Sequence, residues 1–162
     1  MEYLKLIENG EKNSPERLKI MIFTEGTILK PKNVFLHFNI STYIPIENAV
    51  DIIKSWNEQG AEIIYCTSSR KLKEVEAVKA NLIKHKFKGT KLYYRSENQE
   101  YRDIVELVVP NILIEDDCRS IGGESQMCIT HVKPEIKNKI KPISVEEFKG
   151  IENLSKKLSD ML

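Results

Sequence analysis

Lys19-Ile20-Met21-Ile22-Phe23-Thr24-Glu25-Gly26-Thr27-Ile28-Leu29 is the stretch on which the reading of the fold turns. The apolar run from Ile20 to Phe23 is unbroken and stops at a hydroxyl, an acid and a glycine. Such a run, ended by a turn signal, predicts a strand covered on both faces, as in a parallel sheet. Gly26 lets the backbone turn sharply without a Cβ in the way. Glu25 is therefore expected at the carboxyl end of a central strand, where open α/β sheets bind ligands. A second stretch has the same form: Ile112-Leu113-Ile114 runs into Glu115-Asp116-Asp117. Two strand tips carrying acids predict one acidic pocket.

Pro45 opens a predicted helix with Ile46, Ala49, Val50, Ile53 and Trp56 on one face, closed by Gly60. Ala61 to Cys66 reads as the next buried strand, ending in Thr67-Ser68-Ser69. Leu72, Val75, Val78 and Leu82 then follow at helical spacing, which makes Ser69 the expected cap. Lys91 to Arg95 is a further strand, and Tyr101, Ile104, Val105 and Val108 mark a helix ended by Pro110. Beyond the acidic strand, Gly122-Gly123 marks a tight loop; no Gly-Lys-Ser/Thr follows, so it is not a P-loop. Met127 to Val132 is expected to be a fifth strand, 134–140 a short helical turn, and Ile143 to Val145 a sixth strand. Ile151, Leu154 and Leu158 suggest a closing helix. At the start, Tyr3 to Ile7 reads as an edge strand or a loose tail before an Asn9-Gly10 turn, and Ser14-Pro15-Glu16 as a helical turn. Strands alternating with helices predict an α/β fold with a doubly wound, mostly parallel sheet. A single domain over 1–162 is expected, with 1–18 as an extension.

Bulk properties narrow the function. With 41% hydrophobic and 30% charged residues the chain has an ordinary globular balance, and a net charge of +1 gives no global attraction to nucleic acid or membrane. The lysine-containing stretches 71–86 and 133–141 alternate with acids or apolar residues and read as solvated helix faces. No apolar run is long enough to span a bilayer, and the first residues lack a signal-peptide pattern. Cys66, Cys118 and Cys128 form no Cys-x-x-Cys pair, which suits a reducing cytoplasm, and His37, His85 and His131 are too scattered for a zinc site.

The two acid-tipped strands resemble the haloacid dehalogenase-like (HAD) superfamily of phosphatases. Its first motif is an apolar strand followed by Asp-x-Asp-Gly-Thr, where this chain reads Phe23-Thr24-Glu25-Gly26-Thr27. Its fourth motif is an apolar strand followed by acids, matched by Glu115-Asp116-Asp117. Phe23 stands where the nucleophilic aspartate belongs, so the likeness is to a degenerate member. There is a fainter likeness to the deoxyribonucleotidase-like branch.

The resemblance implies a site around these residues. Phosphate contacts fall on Thr67 and Ser68, on Gly26 and Thr27, and on Arg102, with Arg95 in reserve. Mg²⁺, a hard ion that takes oxygen ligands, falls on Glu25 and on Asp116 or Asp117, with Glu115 as a substitute for the missing carboxylate. The alternative for these acids is local capping and pairing with Arg119 or Arg102. Glu25 matches the family's acid catalyst, and Glu25 or Asp117 could serve as base for a metal-activated water. Residues 30–45, with Phe35, His37, Phe38 and Tyr43, match a small cap loop. Those aromatics read first as packing onto the domain and second as lining a pocket. The implied function is binding of a phosphorylated small molecule or nucleotide, without phosphoaspartyl chemistry. The alternatives are a metal-dependent phosphohydrolase and a protein-interaction module with a vestigial pocket.

Overall fold

The computed structural model describes residues 2–6 and 16–162. At its centre lies β2 (Lys19–Phe23), whose Ile20, Met21 and Ile22 are fully buried. Successive side chains of a strand point to opposite faces, so this one strand feeds two apolar layers. Ile20 and Ile22 pack with β5 (Glu62–Cys66), α1 (Ala49–Glu58) and α2 (Leu72–Lys84) through Ile63, Ile53, Trp56 and Val78. Met21 and Phe23 pack on the other face with Ile64, Leu113, Ile104 and Ile129. These come in turn from β5, β7 (Ile112–Asp116), α3 (Tyr101–Val108) and α4 (Cys128–His131).

Six strands form the main sheet in the order β1 (Glu2–Lys5), β6 (Lys91–Tyr94), β5, β2, β7 and β8 (Lys141–Val145). Only β1, on the edge, runs antiparallel. The sheet is therefore mostly parallel with helices on both faces, as expected from the alternation of periods. Register fixes what matters next. Phe23 lies beside Cys66, Ile22 beside Ile114, and Asp116 beside Val145. Hence the residues following β2, β5, β7 and β8 emerge at one end of the sheet.

Segment 30–45 leaves and re-enters through a small ladder of β3 (Leu29–Lys30) and β4 (Ile44–Pro45). Between them lie two 3₁₀ turns, Val34–Leu36 and Ile40–Thr42. Asn81 of α2 ties this excursion down by donating to the carbonyls of Tyr43 (2.8 Å) and Ile40 (3.2 Å). Tyr43 is buried, whereas Phe35 and Phe38 are more than nine-tenths exposed (92% and 97%), so only part of this aromatic set packs onto the domain.

Four local expectations are corrected. Met127 to Val132 is not a strand: it holds the helix α4, because the amides of Cys128 and Ile129 are taken by the Glu115 carboxylate instead of a sheet neighbour. A short buried apolar run does not distinguish the two by period. The helix expected to open at Pro45 begins at Ala49, since Pro45 belongs to β4. Ser69 does not cap α2, whose N-cap residue is Lys71. The closing helix is replaced by two 3₁₀ turns, Gly150–Asn153 and Leu158–Met161. Between them Trp56 Nε1 donates to the Ser155 carbonyl at 2.9 Å, and Ser55 and Gln59 donate to that of Lys156 at 3.0 and 2.7 Å, so the chain is bound to α1 rather than to itself. The Asn9-Gly10 turn and residues 14–15 of the first helical turn lie outside the described residues.

Candidate functional site

A cleft of about 820 Å³ opens at the carboxyl ends of β2, β5 and β7. Phe23, at the end of β2, is mostly buried and meets Tyr101 edge-on at 5.0 Å and 86°. The other member of this stack is Arg95, whose guanidinium lies 3.6 Å from the centre of the Tyr101 ring. Position 23 is thus a packed aromatic floor, and it offers no nucleophile.

Two residues on, Glu25 turns toward the tip of β5. Its Oε1 accepts from Thr67 Oγ1 at 2.5 Å and lies 3.5 Å from Ser69 Oγ. Its Oε2 accepts from the Ser68 amide at 3.1 Å and lies 2.6 Å from Thr24 Oγ1. Thr67 Oγ1 accepts in turn from the Ser69 amide at 3.1 Å, which leaves its one proton for Glu25. Thr67 and Ser68, expected as phosphate contacts, are therefore gathered, and a carboxylate of the same chain occupies their donors.

Gly26 sits at φ +79, and a Cβ there would come 2.8 Å from Asp116 Oδ2. The left-handed backbone and this close approach to Asp116 both favour a residue without a side chain. The Thr27 hydroxyl is buried with no hydrogen-bond partner among the described residues, and Thr27 does not line the cleft. Arg102 does not line it either: half exposed, it faces Asp103 at 4.0 Å. Arg95 lies nearer, with Nη2 3.5 Å from the Ser68 carbonyl and Nη1 3.9 Å from Glu100.

The three consecutive acids after β7's apolar run separate into different environments. Glu115 is buried, and its two oxygens accept from the amides of Cys128 (2.7 Å) and Ile129 (2.9 Å). Burial pushes this carboxyl up, and the two amides oppose the shift. Asp116 Oδ1 accepts from the Cys118 amide at 2.8 Å. Asp117 accepts from the amides of Arg119 (3.3 Å) and Glu147 (3.2 Å) and pairs with the Arg119 guanidinium at 3.1 Å. Among the described residues, Asp116, Asp117 and Glu147 bring one carboxylate oxygen each within 4.8 Å of one another.

Three close oxygen donors fit a hard divalent ion such as Mg²⁺. Two of the expected ligands, Asp116 and Asp117, are brought together. The carboxylates of Glu25 and Glu115 are not part of that group. Glu147 was missed by sequence reasoning. Its signal was a further strand end carrying acids, Val145-Glu146-Glu147, matching those of β2 and β7.

The electrostatics agree with a surplus of negative charge. Burial raises the Asp116 carboxyl first, and Glu147 and Asp117 add to the shift. The Cys118 thiol beside it is pushed up to about 12, by burial and by Asp116. A raised carboxyl binds more protons folded than unfolded, so stability falls as pH rises from the ordinary carboxylate range through the folded value. Asp116→Asn keeps an oxygen for the Cys118 amide and removes the charge. Without divalent ions, thermal melts should show this variant above the parent at neutral pH. The gap should narrow as pH falls through the raised folded value and be closed by about pH 4.

Opposite the acids, Arg70, Lys71 and Lys73 line the side of the cleft leading into α2. The mouth carries His37, with Phe38 and Phe148 edge-on to it at 5.5 and 5.9 Å. Phe148 holds a positive φ of 65, and its amide donates to the Gly26 carbonyl at 2.8 Å. Bulky residues rarely adopt that backbone, and here it accompanies placement of a ring at the site.

No protein-family model and no curated protein matches the sequence. The fold is similar to chains in two solved structures of the Pnkp1/Rnl/Hen1 RNA repair complex, with TM-scores of 0.55 and 0.58 and 13% identity in each case. The match takes in 83% of this chain but only 44% and 48% of those chains, so it spans less than half their length. A D,D-heptose 1,7-bisphosphate phosphatase from Burkholderia thailandensis matches at 9% identity and a TM-score of 0.45, over 82% of this chain and 94% of that one. At these identities the likeness to the repair-complex chains is one of fold. Among the described residues no helix is long and apolar enough to cross a membrane.

Proposed function

We propose that this chain is a HAD-like protein that binds a phosphorylated small molecule at the ends of β2, β5 and β7 and lacks phosphoaspartyl chemistry. The observation that carries the reading is the pairing of Phe23 with Tyr101 beside the donors of Thr67 and Ser68: an anion cradle stands next to a nucleophile position filled by packed rings. The cleft has two poles. Asp116 and Glu147 line the acidic one, with Asp117 beside them, and Arg70, Lys71 and Lys73 line the basic one. Mg²⁺ held by the acids would supply positive charge to a phosphate oxygen. Residues 30–45 act as the cap, and their His37 and Phe38, with Phe148, offer planar apolar surface to the organic part of the ligand, as a nucleotide base would require. The unpaired thiols of Cys66, Cys118 and Cys128 suit a cytoplasmic setting.

Hydrolysis by metal-activated water is the less favoured reading, because one candidate base, Asp117, is paired with Arg119, and the other, Glu25, lies outside the carboxylate group that would hold the ion. Calorimetric titration with nucleoside monophosphates and sugar phosphates, with and without Mg²⁺, tests the proposal. Binding that strengthens with Mg²⁺ is the expected result. No heat with any phosphorylated ligand would leave a vestigial pocket.

A further inference from the structure

We propose that the cradle at the tip of β5 is self-closed: the Glu25 carboxylate occupies the place of a phosphoryl group, and a ligand must displace it to bind. This rests on the phosphoryl-binding reading above and adds its regulation. The donors on Glu25 are two that would serve any oxyanion, the Thr67 hydroxyl at 2.5 Å and the Ser68 amide at 3.1 Å, with the Thr24 and Ser69 hydroxyls at 2.6 and 3.5 Å. Charge-assisted bonds of this kind favour an anion over a neutral occupant. A phosphoryl oxygen and a carboxylate oxygen cannot share one hydroxyl proton. Two anions placed side by side here would also repel strongly, since the surroundings are partly dry. The two occupants therefore exclude each other.

Glu25 can leave without disturbing the sheet. It lies beyond the last residue of β2, and its side chain pivots about its own torsions. The same cleft presents Arg70 and Lys71, which attract an incoming dianion. A tethered carboxylate competes at an effective concentration in the millimolar range or above. Apparent affinity for free phosphate falls by the fraction of molecules left open.

The test is calorimetric titration with inorganic phosphate in Mg²⁺ buffer, on the parent, Glu25→Ala, Glu25→Gln and Glu25→Ala combined with Thr67→Ala. Glu74→Ala removes a charge lining the same cleft without touching the cradle, and so controls for net charge. Thermal melts establish that each variant is folded. Glu25→Ala should bind at least about tenfold more tightly than the parent. Glu25→Gln, which keeps the size and loses the charge, should move the same way by less. The double variant should lose the gain. Equal affinity in the parent and Glu25→Ala would overturn the self-closure and leave the phosphoryl reading standing. A gain matched by Glu74→Ala, or one that survives Thr67→Ala, would also overturn it. Absence of phosphate binding in the parent and every Glu25 variant would overturn both.

Discussion

Glu115→Ala is expected to destabilise the fold by about 2–4 kcal/mol, because it leaves two buried amides without acceptors. The Glu115 carboxylate takes the N–H groups of Cys128 and Ile129 at 2.7 and 2.9 Å, and so supports the first turn of α4. That turn carries Cys128 and Ile129 into the apolar layer with Met21, Phe23 and Ile104. Losing it should loosen the layer beneath Phe23 as well. Glu115→Gln should also destabilise, since its NH₂ would be set against an amide donor. Urea unfolding with and without Mg²⁺ is the check. The loss should be the same in both, as the carboxylate is committed to backbone. A loss that appears only with Mg²⁺ would return Glu115 to the metal ligands.

Phe23→Asp should cost about 3–5 kcal/mol in the absence of metal, the usual penalty for truncating a buried aromatic residue. The ring is 8% exposed and stacks edge-on to Tyr101. In its place a carboxylate would enter a wall that already holds Glu25, Glu115 and Asp116. Part of the loss should return with Mg²⁺, because the new carboxylate would add an oxygen donor to the cleft that Asp116 and Glu147 line, and an ion bound only by the folded state stabilises it. Phe23→Leu, which keeps most of the volume, should cost roughly 1 kcal/mol and show no metal dependence. Melting temperatures across a Mg²⁺ series separate the two. A Phe23→Asp protein as stable as the parent without metal would mean that the ring is not packed as described.

The central strands were legible because they are buried on both faces: Ile20 to Phe23 and Ile112 to Ile114 carry no polar residue to confuse the period. Their acids mark the site for the same reason, since a carboxylate directly after such a run must emerge at the sheet's end. What those acids do there was less legible. Glu115 is turned inward by amides 13 and 14 residues further on, and Glu25 by a threonine 42 residues away. Neither partner is marked by spacing. Glu147 follows β8, a largely exposed edge strand whose Lys141-Pro142-Ile143-Ser144-Val145 gives a weak apolar signal. Its place beside Asp116 comes from pairing of β8 with β7, a tertiary fact. Likewise α4 owes its helical form to Glu115, so its own residues read as a strand.

The most direct test is a ³¹P NMR record of a nucleoside monophosphate mixed with the parent protein and Mg²⁺ over many hours. The phosphomonoester resonance should shift or broaden as protein is added, while no inorganic phosphate resonance grows. Steady growth of inorganic phosphate, abolished by Glu25→Gln, would contradict a cleft without a working nucleophile. A resonance that never moves, with any phosphorylated ligand, would contradict the cleft itself.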